Sequence, residues 1–98
     1  MVYTIQQIQD ITAPIAAAHG IRSVHLFGSY ARGEATDESD IDLRIDTDKV
    51  LSLFEIGGIY ADLEDCLQKE LDLVTTRGAE EGFLERIKDD EVLLYEAR

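Results

Sequence analysis

The sequence predicts a small α/β (α+β) fold: a mixed sheet with helices on one face and acidic side chains on the other. Three observations carry that expectation. Apolar residues switch between a spacing of three to four, as in helices, and a spacing of two, as in strands. These segments alternate in the order helix, strand, turn, strand, helix, strand, helix and a last short strand. Acids, moreover, fill the alternate positions of the later strands.

The first helix covers about Thr4 to His19, where Ile5, Ile8, Ile11 and Ile15 recur on one face. Gly20 stands where a glycine closes a helix, and Pro14 is expected to kink or divide it. Arg22 to Phe27 is short, partly β-branched and ends at Gly28, the pattern of a strand. GSYARGEATDES follows as a polar, turn-rich stretch without apolar periodicity. Asp40 to Ile45, DIDLRI, alternates strictly, with Ile41, Leu43 and Ile45 on one face and Asp40, Asp42 and Arg44 on the other. Lys49 to Gln68 reads as a helix with an apolar stripe of Leu53, Ile56, Tyr60, Leu63 and Leu67, weakened in its middle by Gly57-Gly58. Glu70 to Thr75, ELDLVT, is a strand with Asp72 between leucines. Glu80 to Lys88 is a helix bearing Phe83, Leu84 and Ile87, and Val92 to Tyr95 is a short terminal strand.

Residues 1–98 are expected to form a single domain, since 98 residues supply one core and 45% of them are apolar. No run of about 18 apolar residues occurs, so no membrane association is expected, and MVYTIQQIQDITAPI has no signal-peptide core. The lone Cys66 cannot form an internal disulfide, which fits a reducing cytoplasm, and its helical setting predicts a buried, inert thiol. Nine basic against 21 acidic residues give a net charge of −12, which argues against a direct electrostatic grip on DNA or RNA. That balance suits divalent cations at clustered carboxylates, or a basic protein partner.

The acids of DIDLRI carry the chemistry. Strand residues at i and i+2 share a face roughly 7 Å apart, so Asp40 and Asp42 repel each other unless a cation lies between them. Magnesium is the natural ion, because it takes oxygen ligands and leaves positions for substrate phosphates. Two such ions about 4 Å apart would polarise a phosphoryl group and activate its attacker. Asp72 would join them if its strand is a neighbour, as a third metal ligand or as the base that takes the attacker's proton. Upstream, Gly28-Ser29 ends a strand and opens a turn, so its backbone amides and the Ser29 hydroxyl suit phosphate oxygens. Arg32 lies in the same stretch as a candidate phosphate ligand, whereas Arg44 is read as a counter-charge for Asp40 and Asp42 and Tyr30 as turn packing.

Rival phosphate motifs fail. Gly28 to Gly33 has the glycine spacing of a P-loop, but Glu34-Ala35 follows where Lys-Ser or Lys-Thr is required. No GxGxxG or HExxH is present, and His19 and His25 lack partners at metal-ligand spacing. The pattern G-S, ten residues, D-x-D should arise by chance in such a chain about once in a thousand, so it outweighs a reading of these residues as ordinary turn and cap positions.

GSYARGEATDESDIDL resembles the signature of the DNA polymerase β-like nucleotidyltransferase superfamily. It is similar in particular to the minimal nucleotidyltransferase (MNT) proteins that pair with HEPN-domain ribonuclease toxins. LFEIGGIYADLEDCLQKELDLVT and EVLLYE extend the likeness over nearly the whole chain. The resemblance implies a polymerase β-like fold, with Gly28 and Ser29 as the nucleotide-phosphate clamp, Asp40 and Asp42 as metal ligands and Asp72 as the third acid. It also implies ATP as substrate, a tyrosine of the HEPN partner as acceptor, and an antitoxin role through AMP transfer. LQKEL departs from the glycine-basic turn that relatives often carry before the third acid. Two alternatives stay open: an antitoxin that masks its toxin by binding alone, and transfer to a small molecule. So short a chain has no room for an acceptor pocket of its own, which favours an acceptor borrowed from a basic partner.

Overall fold

A computed structural model describes residues 2–98. Helix α1, Ile5–Ala18, opens on a capping box in which Thr4 accepts from the Gln7 amide and the Gln7 side chain accepts from the Thr4 amide. It runs unbroken through Pro14, contrary to the expected division, because the proline sits on the exposed side where the carbonyl it frees can meet water. Its end is a Schellman turn: the amide of Ile21 donates to Ala16 O at 3.0 Å and that of Gly20 to Ala17 O at 3.2 Å. Gly20 supplies the positive φ of +70° that this turn needs.

The chain continues through β1 (Ser23–Phe27), α2 (Gly28–Arg32), β2 (Ile41–Asp46), α3 (Leu53–Leu67), β3 (Leu71–Thr75), a 3-10 turn (Thr76–Gly78), α4 (Glu81–Ile87) and β4 (Val92–Glu96). The strands form one sheet in the order β3-β2-β1-β4. β1 pairs antiparallel with both β2 and β4, while β2 and β3 run parallel. A parallel pair requires a crossover, and α3 is that crossover.

Alternation divides the sheet's two faces. Val24, Leu26, Ile41, Leu43, Ile45, Leu71 and Leu94 face the core, where they meet Ile8 and Ala16 of α1 and Ile59, Leu63 and Leu67 of α3. The buried stripe of α3 is thus Ile59, Leu63 and Leu67; Leu53 and Phe54, in its first turn, are 87% and 94% exposed. Cys66 neighbours this stripe about a quarter-turn away and is exposed, which corrects the expected buried thiol. The opposite face carries Ser23, His25, Asp42, Arg44 and Asp46. Helices are not confined to one side, since α4 sets Phe83 edge-on to Phe27 at 5.6 Å, and Phe27 lies opposite Asp42 on the acidic face.

Candidate active site

The parallel register sets Asp42 directly beside Asp72. Both therefore project from the acidic face of adjacent strands, as the DIDLRI and ELDLVT alternation implied. Asp40 lies exposed one residue before β2, at the entrance to the same strand.

Gly28 closes the site from the β1 side. Its φ of +74° is a left-handed conformation, and a Cβ built there would stand 2.8 Å from Cγ of Asp42. Both facts require glycine, since a side chain would be strained by the backbone and would overlap the carboxylate. The stretch after it is not a loose turn, because Gly28 to Arg32 form one helical turn, too short for any apolar period to reveal. Ser29 is half-buried in that turn beside Gly28, and Tyr30 packs into the core, as a turn-packing residue should.

Charge repulsion is built into the arrangement. Partial burial lifts the Asp42 carboxyl to about 6 from its ordinary 3.8, and the negative charges of Asp72 and Asp40 add to this. Arg32 opposes the shift by its charge, although its Nε is engaged by Glu34 Oε1 at 2.9 Å and the side chain is exposed. Next to Asp72 a cleft of about 300 Å³ is walled by Val74, Ala79 and Phe83 and rimmed by Glu80 and Arg86. The sequence marks Phe83 only as an apolar helix position, and nothing in it ties Phe83 or Arg86 to Asp72.

Arg44 is a counter-charge, but not for Asp40 and Asp42. Its guanidinium is held in a two-pronged pair with Glu91, and it also meets Asp46 at 3.1 Å and Thr76 Oγ1 at 2.6 Å. Arg44 and Glu91 are only 12% and 10% exposed, so this is a shielded cluster at the far end of β2. Glu91 and Thr76 come from β4's approach and the turn after β3, which lie far away in the chain, whereas Asp46 is two residues on in β2. His25 faces Arg44 across the strands, and burial together with that cation lowers its pKa. His19 pairs with Asp62 at 2.7 Å, remote from the acids.

A magnesium site completed by substrate phosphates needs only one or two protein carboxylates. The all-oxygen donor set and the repulsion that raises the Asp42 carboxyl fit such an ion, although among the described residues no three ligating side chains converge to enclose a metal unaided. Among the described residues, no helix is long and apolar enough to cross a membrane.

Residues 7–98 match the family model described as polymerase beta, nucleotidyltransferase. Protein adenylyltransferase MntA of Thermococcus cleftensis is 30% identical over 88 residues, which are 86% of this chain and 89% of that protein. Two solved structures share the fold. One, a toxin–antitoxin with AMP-PNP, has a TM-score of 0.81 at 21% identity, over 92% of this chain and 74% of the other. The second, a tri-AMPylated Shewanella oneidensis HEPN toxin in complex with MNT antitoxin, has a TM-score of 0.75 at 19% identity, over 95% and 73%. With its acids facing one another across β2 and β3, Gly28 pressed against Asp42 and the family match running over nearly its whole length, the chain belongs to the polymerase β nucleotidyltransferase family.

Proposed function

We propose that this chain is an antitoxin that transfers AMP from MgATP to a tyrosine hydroxyl of a HEPN-domain ribonuclease, silencing it. One observation carries the reading: the backbone of Gly28 abuts the carboxylate of Asp42, which itself stands beside Asp72. Phosphate-binding turn and acids thus share one spot, as transfer of a phosphoryl group demands. The adenylyltransferase name of the Thermococcus relative and the AMP-PNP and AMPylated HEPN complexes of the fold neighbours support the nucleotide and the partner.

In this reading Gly28 and Ser29 hold the triphosphate, with Arg32 at its edge. Asp40, Asp42 and Asp72 would hold magnesium, which would supply positive charge to the α-phosphoryl group and to the departing pyrophosphate. The tyrosine oxygen attacks the α-phosphorus, a P–O bond to tyrosine forms, and the α–β anhydride bond breaks. Asp72, the more exposed of the facing pair, takes the phenolic proton. The net charge of −12 suits a basic, RNA-seeking partner.

The test uses the chain with the product of its neighbouring gene, Mg²⁺ and ATP labelled at either the α or the γ position. Label should pass to the neighbour from α-labelled ATP alone, with release of pyrophosphate. Transfer of the γ label, or neutralisation of the neighbour without any ATP, would overturn the reading.

A further inference from the structure

Lys69 lies in the short connection between α3 and β3, outside the acid set and outside the Gly28-Ser29 turn. Its ammonium reaches both halves of the motif that the site depends on. Nζ donates to the backbone carbonyl of Asp37 at 2.9 Å, within the loop that delivers Asp40. The same ammonium stands over the Tyr30 ring, 5.8 Å from its centre, and Tyr30 follows Gly28 and Ser29 in α2. Lys69 also precedes Asp72 by three residues, and the carbonyl of its neighbour Glu70 accepts from the amide of Ile41 at 3.0 Å, where β2 begins. One cation therefore ties the phosphate-side turn, the loop before Asp40 and the strand of Asp72.

Residues 34–40 contain no helix or strand. Within the loop the Thr36 amide donates to Ser39 Oγ at 2.8 Å, and Ala35 packs against the core. Lys69 adds a link from the loop's backbone at Asp37 to the approach of β3. Asp40 is exposed at the loop's end, so the position of its carboxylate follows the loop's. Asp37, Glu38, Asp40 and Glu70 line the cavity of about 560 Å³ into which Lys69 points, and a cation among them offsets their repulsion.

We propose that Lys69 is a positioning residue for nucleotidyl transfer, fastening the Asp37 loop and the Tyr30 turn so that Asp40 meets Asp42 and Asp72 in working geometry. The inference rests on the function proposed above. A carboxylate displaced by about 1 Å costs on the order of a hundredfold in rate, so losing the tie should show mainly in kcat.

The experiment compares Lys69→Met and Lys69→Arg with the unaltered chain, using AMP transfer to the partner and amide hydrogen exchange of the chain alone. Lys69→Met should lower kcat about tenfold or more with KM for ATP within about twofold. It should also speed exchange of the amides of residues 34–40 about tenfold while those of α1 and α3 keep their protection. Lys69→Arg, which can still donate to the carbonyl and lie on the ring, should restore most of both. Unchanged exchange at 34–40 would overturn the inference, as would a rise in KM for ATP without a fall in kcat, which would mean that Lys69 binds phosphate instead. If the unaltered chain transfers no AMP, the proposed function fails while the exchange data still decide the role of Lys69. Should Lys69→Met not fold, Lys69→Leu, which likewise has no donor, takes its place with the same expectations.

Discussion

Replacing Gly28 by alanine adds a single methyl group, and its consequences can be worked from two numbers. The first is the φ of +74°, a conformation that costs an alanine about 1–2 kcal/mol relative to glycine. The second is the 2.8 Å from the added Cβ to Cγ of Asp42, inside van der Waals contact, so the carboxylate or the β1–α2 corner must move. Asp42 has little room to retreat, with Asp72 beside it on β3 and Phe27 opposite on β1. Stability should therefore fall by about 2 kcal/mol, and the melting temperature of a chain this size by roughly 8–16 °C. Activity should fall further, by about a hundredfold or more, because the shift lands on the acid at the centre of the site. Thermal unfolding by circular dichroism and AMP transfer under saturating ATP measure the two effects below the variant's melting point. Activity within about threefold of the unaltered chain would refute the argument that Gly28 fixes Asp42.

Three further substitutions probe Asp42, the Arg44 cluster and the end of α3. Burial and the neighbouring acids raise the Asp42 carboxyl to about 6 in the fold, so the folded chain holds an extra proton between 3.8 and that value and loses stability as pH rises through the window. Asp42→Asn should accordingly raise the melting temperature above about pH 6, leave it nearly unchanged below 3.8, and abolish transfer at every pH; equal melting shifts at both ends would count against the repulsion. Arg44→Ala strands Glu91, 10% exposed, without its cation and should cost about 3 kcal/mol in urea unfolding, with a smaller loss when Glu91→Gln accompanies it. Gln68, at φ 54°, ends α3 in a left-handed conformation, and Gln68→Gly should stabilise the chain by about 1 kcal/mol with activity unchanged, as melting and transfer assays would record.

Periodicity made much of the molecule legible from sequence. DIDLRI alternates so strictly that the core positions Ile41, Leu43 and Ile45 and the outward Asp42 could be read directly, and Gly20 marked the end of α1. The facing of Asp72 and Asp42 needed only the added fact that β3 is parallel and adjacent to β2. Other features have no local signature. α2 is five residues long, less than two turns, and its polar composition reads as a loop. Arg44 shares the acids' side of β2, yet Glu91, 47 residues away, takes its guanidinium, a pairing that tertiary approach alone decides. Leu53 fits a helical stripe by spacing, but the first turn of α3 runs past the edge of the core, so the stripe begins only at Ile59. LQKEL lacks glycine where the chain turns left-handed at Gln68, yet the apolar stripe alone ended the helix there, within one residue of the observed end of α3.

The proposed transfer of AMP by Asp42 and its neighbours to a tyrosine of a HEPN ribonuclease can be read by intact-mass and peptide mass spectrometry of that partner after incubation with ATP and Mg²⁺. Mass gains in whole AMP units confined to tyrosine are expected with the unaltered chain, and none with Asp40→Ala plus Asp42→Ala. An unmodified partner whose ribonuclease activity is nonetheless suppressed by the unaltered chain, or modification that survives the double substitution, would contradict it.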